Sequence, residues 1–373
     1  MKVVLAFIGV FCVCFIYNLI YKKYWQKNLK VELSFRDDVS VCGEQNELIE
    51  VVTNAKLLPV SILRVRFYVS KHLDFGGEKN VSVSDMSYKS DVFSVMFFQK
   101  ITRSIAFLCK RRGYYNIDKI EIVSYNLFVK THLTASCECD ANILVLARSA
   151  PAKKMDVLYK NIYGDVILKR AFLSDPFEFK GIRAYDASDS IKDINWKASS
   201  SSEDLLVNVH GYTSNQQVMV VLNVLGDNDF VEDRVIESCI SIAQGLCVRF
   251  AKSGVPTGLY TNGKNAVRGG TVFVPPAAGE SHIKSIKKAL ALIDTKNADD
   301  IRETVLNIPE FKDSIYVFVS CASKKEVIES AKTLQVNDDV LFVNVYKKGE
   351  DRKKASERGI KMYNWEIERL ENI

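Results

Sequence analysis

The chain opens on an unbroken apolar run. "VVLAFIGVFCVCFIYNLIY", residues 3–21, contains no charge, and Asn18 is its most polar member. A helix of ~20 residues crosses the ~30 Å hydrocarbon layer of a bilayer, so residues 1–24 are expected to form a transmembrane anchor. No small-residue cleavage site follows in "NLIYKKYWQK", which favours a retained anchor over a removed signal peptide.

Residues 28–148 switch to the two-residue alternation of half-buried strands. "LKVELSF" sets Leu29, Val31, Leu33 and Phe35 against polar neighbours. "ELIEVVTN", "SILRVRFYVS", "FSVMFFQKI", "SIAFLC", "YNIDKIEIVS" and "ANILVLA" follow, separated by Asn, Gly, Asp and Ser. Short strands at this spacing, with no helical period, predict an antiparallel β-sandwich of immunoglobulin or fibronectin type. Arg112 and Gly113 read as a turn entering a strand, and Tyr114 and Tyr115 as packing residues.

A third pattern fills residues 216–373. "QQVMVVLNVL" is almost continuously apolar, as a strand covered on both faces must be. The next segment places Val231, Val235, Cys239, Ile242 or Ala243, Leu246 and Phe250 on one helical face. "PTGLYTN" and "TVFVPP" read as strands, and "ESHIKSIKKALALID" as a helix with Ile283, Ile286, Leu290 and Ile293 inward. "SIYVFVSC" and "DVLFVNVY" are further buried strands. Between them "SKKEVIESAKTL" opens with Ser323 and Glu326 at capping-box spacing. Strand–helix alternation predicts a doubly wound α/β domain, making the whole chain an α+β multidomain protein.

Charge adds orientation. Lys2 precedes the apolar run, whereas Lys22, Lys23, Lys27 and Lys30 follow it. Cytoplasmic flanks carry the Lys/Arg excess, so the body is expected in the cytosol, with Tyr21, Tyr24 and Trp25 at the interface. Removing the five lysines of residues 1–31 from 51 basic residues leaves 46 against 45 acidic ones. A nearly neutral body gives no basis for nucleic acid as a partner. The nine cysteines are scattered: Cys12 and Cys14 lie in the apolar run, and "CEC" at 137–139 is the one close pair beyond it. His72, His132, His210 and His282 form no ligand motif, so idle or buried thiols fit better than a zinc site.

Residues 149–215 carry the densest chemistry. "FKGIRAYDASDSIKDINWKASSSSEDLLV", 179–207, resembles the signature of the bacterial domain-of-unknown-function family DUF58. The matching positions are Phe179, Gly181, Ile182, Arg183, Tyr185, Asp189, Ile194, Trp196, Lys197, Ser199, Leu205 and Val207. "RRGYYNIDKIEIVSYNLF" and "AAGESHIKSIKKALALI" resemble two further family segments, in the family's order. Ser188 departs from the family's Gly, Ser201 from its frequent Arg, "SYNLF" lacks its Asp-Pro pair, and one span stands where two are common. The resemblance implies an Ig-like region followed by a von Willebrand factor A-like domain, no catalytic activity, and partnership with a MoxR-type AAA+ ATPase.

A von Willebrand A-like domain raises the question of Mg²⁺, which needs hard oxygen ligands. The matching stretch offers Asn223, Leu225 and Asp227, and Cys321 stands where a later Asp is expected. Leu225 cannot ligate and Asn223 brings no charge, so no metal or other cofactor is expected; Asp227 with Asp229 is the remaining candidate. Ser199–Ser202 near His210, and Asp186, Asp189 and Asp193, do not by themselves define a catalytic set, and no nucleophile elbow, P-loop or dinucleotide fingerprint occurs. Within the signature, Arg183 has a fork suited to pairing with Asp189 or Asp193. Trp196 is expected to bury its ring beside the first α/β strand, making the stretch a structural strap, with Lys197 and Asp186 exposed toward the ATPase. The function expected is a membrane-anchored, non-enzymatic adaptor working with that ATPase on complex assembly or envelope tasks. The alternative is an outward-facing envelope or adhesion protein.

Overall fold

A computed structural model of the chain describes residues 2–76, 86–125, 132–172, 174–186, 189–202, 204–212, 217–227, 232–309, 311, 314–322, 324–334, 339–348 and 360–367. It divides into two units, Met1–Arg148 and Ser149–Ile373.

The first unit begins with helix α1 (Lys2–Tyr24), then strands β1 (Leu29–Phe35), β2 (Val39–Val41), β3 (Gln45–Asn54), β4 (Val60–Ser70), β5 (Leu73–Asp74), β6 (Met86–Val95), β7 (Gln99–Cys109), β8 (Gly113–Tyr125) and β9 (His132–Leu146). One sheet is ordered β1-β3-β7-β5, the other β2-β9-β8-β4-β6. Alternation does the sorting: β3 turns Asn46, Leu48, Glu50, Val52 and Asn54 inward and their neighbours outward. Leu48, Val65, Phe67, Phe107, Ile120 and Ile143 are buried in the core between the sheets. Each such side chain contributes ~1.5–3 kcal/mol through area removed from water.

Two expectations need correction here. "FSVMFFQKI" is not one strand: β6 ends at Val95 and β7 begins at Gln99, with Met96–Phe98 as the turn. Asn54 Nδ2 bonds the Met96 carbonyl at 2.8 Å and Phe98 takes a positive φ of 49°, so side-chain and backbone constraints bend an otherwise strand-like run. The sandwich is also not wholly antiparallel, since β2 pairs β9 in parallel, Val39 opposite Leu144. In "CEC", Cys137 and Cys139 share one face of β9, both half-buried and unbridged.

The second unit contains α2 (Ala152–Phe172), β10 (Ser174–Ala184), the single turn α3 (Trp196–Ser199), β11 (Leu206–Tyr212), β12 (Gln217–Leu222), α4 (Asp233–Lys252), β13 (Thr257–Asn265), β14 (Thr271–Ala277), α5 (Glu280–Ala291), β15 (Ile293–Asp294), α6 (Ile301–Leu306), β16 (Ser314–Ser320), α7 (Lys325–Leu334), β17 (Asp339–Lys347) and β18 (Lys361–Ile367). Its main sheet is ordered β14-β13-β12-β16-β17-β18, with β15 paired to β13. From β13 to β18 the neighbours run parallel. All of Val218–Leu222 and Ser314–Ser320 is buried, as strands covered on both faces require. One face packs Met219, Val221, Tyr316, Phe318, Val340 and Phe342 against α6 and α7.

The helix α2 falls in the stretch read as a strap. It buries Met155, Leu158, Ile162 and Val166, an i, i+3, i+7, i+11 face. Met155 lies so close to α4 that a Cβ at Gly245 would sit 2.9 Å from its Sδ. Asp156 pairs with Arg249, and Asp165 takes both Lys361 and the Tyr363 hydroxyl, tying α2 to α4 and to the edge strand β18. Among the expected helix residues, Val231 and Ser323 lie outside the described residues.

Candidate functional site

Two places hold the residues singled out by sequence. The first is the arm made by β10 and β11, which pair antiparallel from Ser174–Tyr212 to Ala184–Leu206 with irregular register near Phe179. Between the strands the chain folds back on β11. Ile194 is buried and bridges Val207, and Asn195 Nδ2 bonds Asn208 Oδ1 at 2.8 Å. Asn195 Oδ1 accepts the Ala198 amide and caps α3. The Ser199 hydroxyl donates to the Asn195 carbonyl and accepts the Leu206 amide, both at 2.8 Å. Ser199 is thus a backbone clamp; the His210 side chain lies outside the described residues.

Arg183 meets Asp189 with both arms of its fork, Nη1 to Oδ2 at 2.6 Å and Nη2 to Oδ1 at 2.5 Å. The Asp186 amide adds a third bond to Asp189 at 2.9 Å. The guanidinium first and this amide second hold the Asp189 carboxyl below the usual carboxylate range. Of the two acids anticipated, Asp189 is the partner. The ion pair fixes the loop leaving β10, although Arg183 itself is exposed.

The burial of Trp196 is not observed. Its ring is 65% exposed, as is Ile191 at 69%, and Phe179, Ile182 and Leu205 also face solvent. The reason is local: α3 is one turn long, and the backbone-binding residues Ile194, Asn195 and Ser199 take the inward positions. Trp196 and Lys197 therefore point away. Tyr185 is half-buried and Asp186 exposed. Gly181 has an ordinary φ, and a Cβ there would meet nothing within 4 Å. Packing inside this chain does not demand a glycine. Ser188 lies outside the described residues.

The second place is the carboxyl end of the parallel sheet, where open α/β folds bind ligands. Ser320, Asn344 and Asn364 stand side by side by register across β16, β17 and β18, and Asn223, just past β12, bonds both Ser320 and Asn262 of β13. Asn223 is fully buried and uses its whole amide. Oδ1 accepts from Leu225 N at 3.1 Å and Asn262 Nδ2 at 2.9 Å, while Nδ2 donates to Ser320 Oγ at 2.9 Å and the Leu225 carbonyl at 3.1 Å. Asn262 also accepts the Val224 amide and donates to the Asp299 carbonyl. Asn344, equally buried, has no hydrogen-bond partner for either amide atom among the described residues.

Leu225 contributes its backbone, whose carbonyl also faces Cys321 Sγ at 3.8 Å. Asp227 Oδ1 accepts the Lys324 amide at 3.0 Å, at the mouth of α7, where a carboxylate complements the helix dipole. Among the described residues no three His, Cys, Asp or Glu side chains are placed to share a cation; Asp229 lies outside them. What the crevice offers is a row of neutral amides and a hydroxyl. Sequence reasoning found Asn223 but missed Asn262, Ser320 and Asn344. Their signal was a polar residue closing each apolar run: "LYTN", "VVLN", "VFVS" and "LFVN". His282, from the third resembling segment, donates from Nε2 to the Thr257 carbonyl at 2.6 Å and pins α5 to β13.

An apolar N-terminal helix, a β-sandwich and a parallel-sheet unit with a separate two-stranded arm define the class of architecture. Residues 181–353 match the family model described as "Protein of unknown function DUF58". Two solved structures of the CARDB domain of a Pyrococcus furiosus protein also match, one of them in complex with di-metal ions. They are 14% and 16% identical, with a TM-score of 0.22, and cover 32% of this chain and 94% of the domain. No curated protein matches the chain.

Proposed function

We propose that the chain is a membrane-anchored, non-enzymatic adaptor, and that its signature arm is the surface offered to an AAA+ ATPase of the MoxR type. The exposed apolar side chains of the arm carry this reading: Phe179, Ile182, Ile191, Trp196 and Leu205, with Lys197 also exposed. Large apolar groups left exposed on a surface can mark protein contacts, and Trp is a frequent anchor of interfaces. The second unit is read as von Willebrand A-like, with its metal position taken over by the Asn223–Asn262–Ser320 amide network; this supports a binding role without a cofactor. α1 is long and apolar enough to cross a membrane, and the lysine excess after it favours a cytosolic body.

The test uses the tagged full-length chain in native membranes. An AAA+ ATPase should co-purify after mild solubilisation, and protease added to intact spheroplasts should leave both units uncut. Digestion without lysis would place the body outside and contradict the adaptor reading.

A further inference from the structure

The end of the sandwich nearest α1 bears an exposed apolar tip that neither the adaptor role nor the core requires. Leu57, in the β3–β4 loop, is 77% exposed, and Met96, Phe97 and Phe98 of the β6–β7 turn are exposed beside it, Phe98 at 67%. These two loops are one structure. Asn54 Nδ2 donates to Leu58 O at 3.0 Å and to Met96 O at 2.8 Å, and the Phe98 amide donates to Lys56 O at 3.3 Å. Phe98 holds a positive φ of 49°, a region disfavoured for a bulky side chain by ~1–2 kcal/mol. A strained residue that displays an apolar ring to solvent is an observation from which function can be sought.

The tip is fastened to the end of the apolar helix. Lys56 Nζ donates to the Trp25 carbonyl at 2.8 Å, and the Ala55 amide to Asn28 O at 2.9 Å. One turn and two turns earlier, Tyr21 and Tyr17 pack on the sandwich core, and Tyr21 hydrogen-bonds Ser124 Oγ and the Tyr125 carbonyl. The opposite side of α1, with Leu19, Ile20 and Tyr24, is open. Residues 3–21 rise ~28 Å as a helix, which only just matches a ~30 Å hydrocarbon layer. If that stretch spans the layer, an element packed on Tyr17 and Tyr21 reaches the lipid headgroups.

We infer that Leu57, Met96, Phe97 and Phe98 insert into the interfacial layer of the membrane that α1 enters, giving the sandwich a second lipid contact beside its anchor. The chemistry fits: aromatic and aliphatic side chains enter the headgroup–acyl boundary, while exposed Lys22, Lys23, Lys27 and Lys100 meet anionic headgroups. With the sandwich already fastened to α1, a second lipid contact fixes the tilt of both against the bilayer. The inference rests on α1 being a membrane span.

The experiment places the photocrosslinker p-benzoylphenylalanine singly at Phe97, Leu57, Phe11 or Tyr68 of the full-length chain. The proteins are reconstituted in vesicles of mixed zwitterionic and anionic lipid. Phe11 reports the span, and Tyr68 is an exposed site at the far end of β4, ~27 Å along the strand from the tip. Lipid adducts at Phe97 and Leu57 should approach those at Phe11 and exceed those at Tyr68 by roughly ten-fold. Adducts at Phe97 no higher than at Tyr68, with Phe11 still labelled, would overturn the second contact and leave the span intact. Crosslinks from Phe97 to protein instead of lipid would overturn it equally. Absence of lipid adducts at Phe11 would remove the span reading and this inference together.

Discussion

The carboxyl end of the parallel sheet and the signature arm belong to the same unit and dispose of their side chains in opposite ways. At the sheet end, Asn223 and Asn262 are buried and spend their amides on each other, on Ser320 and on the surrounding backbone. On the arm, the backbone is satisfied by Asn195 and Ser199, and the large apolar groups are left outside. The usual ligand crevice of an α/β sheet is therefore internally satisfied over β12 and β13, whereas the arm keeps its contact potential unspent. Asn223 and Asn262 are held by each other, by Ser320 and by backbone, while the neighbouring Asn344 is buried with neither amide atom bonded among the described residues.

The sharpest way to break this contrast is Asn223→Leu. It would remove the partner of the Leu225 amide and one bond each from Ser320, which keeps Ala322, and from Asn262, which keeps Val224 and Asp299. A buried donor left without its partner costs ~1–3 kcal/mol, and a loss of that order in thermal or denaturant unfolding is expected. Melting like the parent would show that the network is not a structural closure.

A buried group that is not satisfied shows what the alternative costs. Glu50 is fully buried in the sandwich, and neither carboxylate oxygen has a hydrogen-bond partner among the described residues. Burial first, and Asp91 second, push its carboxyl up to about 7, against the opposing pull of Arg103 and Lys89. Because the folded value is raised, the folded state holds a proton that the unfolded chain releases between about 4.5 and about 7. Stability from this group is present below the lower value and is lost as pH rises through the upper one, by ~3 kcal/mol at most. Unfolding titrated from pH 4 to 8 should show the decline in the parent, and Glu50→Gln should flatten it. An equal slope in both proteins would mean that Glu50 is not the source.

Much of this was legible in sequence, and the limits have physical causes. Two-residue alternation located β1, β3 and β4, and the apolar runs located β12, β16 and β17, because burial on one or both faces dictates composition directly. The helix α2 escaped because its inward Met155, Leu158, Ile162 and Val166 are diluted by Lys153, Lys154, Lys160 and Gly164. The β6–β7 turn escaped because Met96–Phe98 is as apolar as a strand, and its bend depends on Asn54 from another strand. The amide row could not be seen before the pairing register set its members side by side. Arg183 found its carboxylate among nearby residues, where sequence reasoning is strongest. Trp196 was misplaced because a large ring among charges gives no sign of whether its cover lies within the chain or on a partner.

The most direct test of the central claim is therefore Trp196→Ala in the full-length chain, read by unfolding and by capture of the ATPase together. An exposed Trp196 predicts a stability change within ~0.5 kcal/mol with clear loss of capture. A loss of ~3–5 kcal/mol, the cost of truncating a buried Trp, would contradict the account and return the signature to the role of a buried strap.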